Sequence, residues 1–126
     1  MIFGIGTDVL RLDRVEHVWE RYGEAFARRV LLDEELALFA NSRNKIRFLA
    51  MRFAAKEAIV KAMGTGFANG VWVRDVGTVP NPLGQPQVVY SARGLAMCER
   101  LGIGSGFLSL TDEAGLVVAV AILLRK

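Results

Sequence analysis

From Lys45 to Met63 the chain reads as one long helix, and Gly64 and Gly66 stop it in the usual C-terminal manner. Everything else must arrange itself around this element. On a wheel at about 100° per residue, Ile46, Leu49, Phe53 and Val60 form one apolar stripe. Phe48, Ala55, Ile59 and Ala62 form a second. Lys45, Arg52 and Lys56 gather on one side, which reads as an ordinary solvated face. Glu57 does not join them. It stands at the edge of the first stripe, with Lys61 one turn further on and the small residues Ala50 and Ala54 as neighbours, leaving room for something to approach the backbone.

The plain reading of Glu57 and Lys61 is a surface pair at i, i+4, worth a few tenths of a kcal/mol. The sharper reading is a carboxylate and an ammonium at the mouth of a cleft, one holding a cation and the other a phosphate. Mg2+ suits such a place, because it takes one or two protein carboxylates and fills its remaining positions with substrate phosphates and water. A second carboxylate is then needed. Asp8 is the candidate, at the end of a buried, apolar strand expected over Ile2 to Asp8, where Gly4 and Gly6 permit close backbone packing. The competing reading is that Asp8 only caps the next turn.

The remaining elements follow from local signals. Asp13, three residues before Glu16, starts a helix whose residues Val15, Val18, Trp19, Tyr22 and Phe26 should face the core, and Gly23 breaks or kinks it. Asp33 caps a short helix through Phe39. Val71 to Val79 and Gln87 to Tyr90 read as strands around a Pro80–Gly84 turn, and Ser91 caps a helix that Gly102 ends. Phe107 to Leu110 and Leu116 to Leu124 read as two strands joined around Gly115. Strands and helices segregate rather than alternate strictly, so the fold class is α+β. At 126 residues, one domain over 1–126 is expected.

A single cysteine, Cys98, allows no intrachain disulfide and reads as a small buried residue. The start MIFGIGTDVL has neither the basic nor the apolar region of a signal peptide, and the longest apolar run falls well short of the ~20 residues a membrane helix needs, so a cytoplasmic protein with no membrane partner is expected. The net charge is +3, and eleven of the sixteen Lys and Arg lie between Arg11 and Lys61. That imbalance suits an anionic partner.

Three stretches together, GIGTDVLRLDR, RFAAKEAIVKAMGTG and NPLGQP, resemble the holo-acyl-carrier-protein synthases, the small members of the 4'-phosphopantetheinyl transferases, over essentially the whole chain. The resemblance implies a small antiparallel sheet packed against a long helix. It implies transfer of the 4'-phosphopantetheine arm of coenzyme A to a serine of apo acyl carrier protein, usually in fatty acid synthesis, with adenosine 3',5'-bisphosphate as the other product. It places Asp8 and Glu57 as Mg2+ ligands, Lys61 on the phosphates, Arg52 near the nucleotide's phosphates, and the Asn81 to Pro86 turn close to the adenine. Gly64 and Thr65 of the GTG element belong to the coenzyme A site, and Arg14, Arg21 and Arg29 lie near the acidic recognition helix of the carrier protein. A homotrimer with each site between two subunits is implied, with no nucleic acid involved. Where many relatives carry a His on phosphate, this chain has Asp112, which pairs with a basic side chain or stays in solvent.

The chemistry agrees with these residue types. Phosphoryl-type transfer is mostly positioning and charge neutralisation, and the carrier serine is the nucleophile, so this chain need not supply one. Glu57, or a water held at the metal, would accept the serine proton. Two other readings compete: a metal-dependent nuclease, drawing further carboxylates from Asp75 and Asp112, and a non-catalytic adaptor docking an acidic protein through Arg14 and Arg21.

Overall fold

A computed structural model describes all residues, 1–126. The order is β1 (Ile2–Arg11), α1 (Leu12–Tyr22), α2 (Glu24–Val30), α3 (Asp33–Phe39), α4 (Lys45–Met63), β2 (Val76–Pro80), β3 (Pro86–Tyr90), α5 (Ala92–Leu101), β4 (Ile103–Glu113) and β5 (Leu116–Arg125). Three strands form an antiparallel sheet in the order β1-β5-β4, and β2 pairs with β3 in a separate ribbon. The expected α+β arrangement, a small antiparallel sheet against a long helix, is what the chain adopts.

The helix α4 lies across the inner face of the sheet. Val117, Ala119, Ala121 and Leu123 of β5 point at it and are fully buried. Its closest neighbour is β1, and the reason is steric. A Cβ on Gly6 would sit 1.9 Å from the carbonyl oxygen of Ala58, and one on Gly4 would sit 2.0 Å from that of Ala62. Only glycine lets strand and helix backbones approach so nearly. Ala50 and Ala54 are fully buried, so the space beside them is not open to a ligand. The backbone approach expected there is made instead by β1, one to two turns further along.

Several boundaries differ from expectation. β1 does not end at Asp8 but runs on to Arg11, with Asp8 opposite Ala119 in the middle of the ladder. Nor is it a buried strand: Ile5 and Val9 on its outer face are exposed. α1 begins at Leu12 without a side-chain cap, and Asp13 sits in its first turn, bound by Arg11. Leu32, not Asp33, is the N-cap of α3, and the Glu35 carboxylate returns to the Leu32 amide. Of the Val71–Val79 stretch only the part from Val76 onward is strand, and β2 runs one residue further, to Pro80. Ahead of it Asp75 accepts from the Trp72 amide and closes a short 3-10 turn. Gly23 does separate α1 from α2, and Ser91 and Gly102 bound α5 as expected.

The outcome for the charged side of α4 is the largest correction. Lys56 is not solvated. It is fully buried, and its Nζ donates to Glu35 Oε1 and to the Val76 carbonyl, both at 2.6 Å. Lys45 Nζ donates to the Phe39 and Ala40 carbonyls at the end of α3. This side of α4 faces α3 and β2, and partners on those elements satisfy Lys45 and Lys56.

Candidate active site

Alternation along β1 turns Gly4, Gly6, Asp8 and Leu10 towards α4. Because the glycines bring the backbones together, Asp8 arrives beside the last turns of the helix. Lys61 Nζ donates to the Thr7 carbonyl at 2.9 Å and lies 3.4 Å from Asp8 Oδ1. Lys61 thus reaches across to β1, and its ion-pair partner is Asp8 rather than Glu57. Asp8 is mostly covered, while the Lys61 side chain is half exposed. Burial pushes the Glu57 carboxyl up, and the neighbouring Asp8 charge pushes it further, against Lys61 and Arg14. Asp8, Glu57, Lys61 and Arg14 therefore share one electrostatic neighbourhood. No group of three or more His, Cys, Asp or Glu exists that could hold a metal by protein ligands alone.

Gly64 ends α4 in the left-handed region, φ 82°, where a side chain would be strained. The Thr65 and Gly66 amides both return to the Val60 carbonyl, and the Thr65 hydroxyl donates to the Gly66 carbonyl. The Gly-Thr-Gly element so folds back over the last turn, beyond Lys61.

Arg52 is elsewhere. Nine residues before Lys61, it lies roughly 180° round the helix axis from it. It lines a cleft of about 220 Å³ with Met51, Thr78, Pro80 and Pro86. Its guanidinium lies 3.9 Å from the Phe48 ring centroid, and its Nε is buried with no hydrogen-bond partner. Asn81 does not line this cleft. Its Oδ1 accepts from the Leu83 and Gln85 amides and shapes the turn that delivers Pro86. The structure thus gathers Asp8, Glu57, Lys61 and the GTG element on one side of α4, and Arg52 and Pro86 on the other.

A third surface runs along α1 and α2. Arg14 borders a recess of about 150 Å³ with Leu10, Val15, Phe26 and Phe53, and Arg29 borders one of about 380 Å³ with Tyr22 and Ala25. Val18 and Phe26 line both, so the recesses adjoin. Arg21 sits 5.5 Å from the Tyr22 ring centroid. Tyr22, expected in the core, is 56% exposed and forms part of this groove. Helical spacing showed the apolar stripe but not that Gly23 turns α2 so as to leave its lower end open.

Asp112 forms a two-pronged pair with Arg47, both bonds 2.9 Å. Asp75 is buried and accepts from Trp72, Ser91 and Arg93. Cys98 is buried, and burial pushes its thiol up.

Residues 4–121 match the sequence profile of the 4'-phosphopantetheinyl transferase superfamily. The chain belongs to that superfamily. It is 44% identical over 126 residues to a holo-[acyl-carrier-protein] synthase of Vibrio cholerae, covering all of both chains. Its fold is similar to the crystal structure of holo-[acyl-carrier-protein] synthase from Neisseria meningitidis, with TM-score 0.94 and 39% identity over 99% of this chain and 100% of that one. It is also similar to the Bacillus anthracis synthase solved in complex with CoA (3',5'-ADP), with TM-score 0.82 and 29% identity over 100% and 99% of the two chains.

Proposed function

We infer that the protein transfers the 4'-phosphopantetheine group of coenzyme A to a serine of apo acyl carrier protein. The single observation that carries this reading is the Asp8, Glu57 and Lys61 cluster, standing in a fold shared over full length with holo-[acyl-carrier-protein] synthases. In the reaction the serine oxygen bonds to the phosphorus that carries pantetheine. The bond from that phosphorus to the bridging oxygen breaks, and the oxygen leaves with adenosine 3',5'-bisphosphate.

The donor set fits Mg2+. Two carboxylates, one mostly covered and one pushed up by burial and then by the other's charge, are a place where a divalent cation relieves repulsion. Two are also what Mg2+ takes when substrate phosphates complete its shell. When bound, it supplies Lewis acidity to the pyrophosphate oxygens. Lys61, tethered by the Thr7 carbonyl, holds positive charge where the departing phosphate gathers negative charge. Glu57 is the carboxylate at hand to accept the serine proton. Arg14, on the same rim, joins this centre to the groove bordered by Arg21 and Arg29, which suits an acidic helix of the carrier protein.

One chain cannot wrap both sides of its own helix with one nucleotide. The Arg52 cleft and the Asp8 centre therefore belong to two half-sites, which adjacent copies bring together. The outer face of the sheet offers the contact: Ile5, Ile122 and Phe107 stand in register across it, with Ile5 and Phe107 more than half exposed. A sheet apolar on both faces calls for cover on both. The trimer is the assembly we assign, and fatty acid synthesis in the cytoplasm is the setting. No helix is long and apolar enough to cross a membrane.

The nuclease reading finds less support, because Asp75 and Asp112 are each engaged by an arginine away from Asp8. The deciding experiment is intact mass of an apo acyl carrier protein after incubation with the protein, coenzyme A and Mg2+. A gain of one phosphopantetheine, lost with EDTA, is expected. No gain with any well-folded carrier protein would overturn the reading.

A further inference from the structure

Most of the cations tucked against the fold have a carboxylate. Lys56 has Glu35, Arg93 has Asp75, and Arg47 has Asp112. Arg52 has none. Burial lowers its pKa, Glu35 offsets this only from a distance, and Arg47 adds to the lowering. A guanidinium held in a cleft without an anion is a standing demand for one.

Thr78 stands in the same cleft and has the same deficit. It is 1% exposed, and its Oγ1 has no hydrogen-bond partner. Its neighbours explain why it is not free to turn away. The Thr78 amide donates to Glu35 Oε2 at 3.0 Å, while Glu35 Oε1 takes Lys56 and the Leu32 amide. The buried pair between α3 and α4 thereby holds β2 with the Val76 and Thr78 side chains on one face and Gly77 against α3, where a Cβ would meet Leu32 and Glu35. A buried hydroxyl left unpaired costs about 1–3 kcal/mol, so two orphan donors in one cleft point to a ligand acceptor rather than to accident.

We propose that Thr78 is a specificity residue for the donor nucleotide, its hydroxyl donating, together with Arg52, to the 3'-phosphate of coenzyme A. This rests on the transferase reading given above. Coenzyme A carries two anionic groups, a pyrophosphate and a 3'-phosphate. The pyrophosphate belongs at Asp8, Glu57 and Lys61 of the adjacent copy, which leaves the 3'-phosphate for this cleft. At about 220 Å³ the cleft is smaller than the ~300–1,000 Å³ of a site that encloses a whole ligand, so it takes one end of the nucleotide.

The test compares coenzyme A with 3'-dephospho-coenzyme A as donor for wild type, Thr78→Val and Thr78→Ser. Turnover of coenzyme A by the wild type checks the transferase reading on its own. Thr78→Val keeps the shape and removes the hydroxyl. It should raise the KM for coenzyme A about tenfold with kcat retained, leave the KM for the dephospho donor unchanged, and so erase most of the preference between them. Thr78→Ser should restore the preference. The free Thr78→Val protein should melt no lower than wild type, because nothing in the ligand-free fold bonds to that oxygen. An equal loss with both donors would place the hydroxyl on the base or ribose and overturn the assignment. Unchanged kinetics with coenzyme A would overturn it too, as would a lowered melting temperature with the donor preference intact.

Discussion

Lys56 and Lys61 are five residues apart on one helix and have opposite fates. Lys56 is sealed inside, with a Glu35 carboxylate and a backbone carbonyl as partners. Lys61 is half in solvent, held by one carbonyl and a longer contact to Asp8. The first ties α4 to α3 and β2. The second stands beside two carboxylates with its charge only partly used. Charge that the fold has already neutralised builds structure, and charge that it leaves under-compensated is available to a ligand. The same contrast separates Arg47, fully paired with Asp112, from Arg52, which has no acid.

If that distinction is right, breaking the inner pair should cost stability and breaking the outer cluster should cost rate. Lys56→Met strands Glu35 and should destabilise by about 3–5 kcal/mol in urea unfolding, since a buried charge is left without its counter-charge. Activity per folded molecule should change far less. Asp8→Ala or Glu57→Ala should lower kcat by about 100- to 1,000-fold with the melting temperature nearly unchanged. Either mutant turning over normally would remove the metal assignment. Arg14→Glu should raise the KM for the carrier protein about tenfold and flatten its salt dependence, leaving the KM for coenzyme A alone. The smallest effect belongs to Asp75. Desolvation pushes its carboxyl up, but bonds from Arg93, the Trp72 amide and Ser91 outweigh it and hold the carboxyl below its usual value. Its contribution is therefore complete above pH ~4 and fades as pH falls through the depressed value. Asp75→Asn should cost about 1–2 kcal/mol at pH 6, and the gap to wild type should narrow as the pH is lowered below ~4.

What could be read in the sequence was what one segment decides alone. Glu57 stood out because a helix wheel shows a charge off the charged side. The ends of α4 and α5 were legible because Gly64, Ser91 and Gly102 act within a few residues, as the Ser91 hydroxyl on the Gly94 amide shows. The resemblance placed Asp8 and Glu57 near one another in advance, and the glycines of β1 supply the mechanism. Lys56 was misread because its partner lies 21 residues away on another helix, and no wheel contains it. The run of β1 past Asp8 was hidden because a strand with the apolar Ile5 and Val9 on its exposed outer face has no polar alternation to mark its course. Thr78 gave no signal at all: its importance lies in what its oxygen lacks, and only three-dimensional surroundings show that.

The claim at the centre is that α4 serves two half-sites, one on each side, which neighbouring copies complete. Glu57→Ala and Arg52→Ala should each be nearly inactive. Co-expressed so that subunits mix at random, they should recover about a quarter of wild-type sites, because one interface in four then joins an intact Glu57 to an intact Arg52. A mixture that stays as inactive as its parents would mean that both residues act within one chain, and would contradict the account.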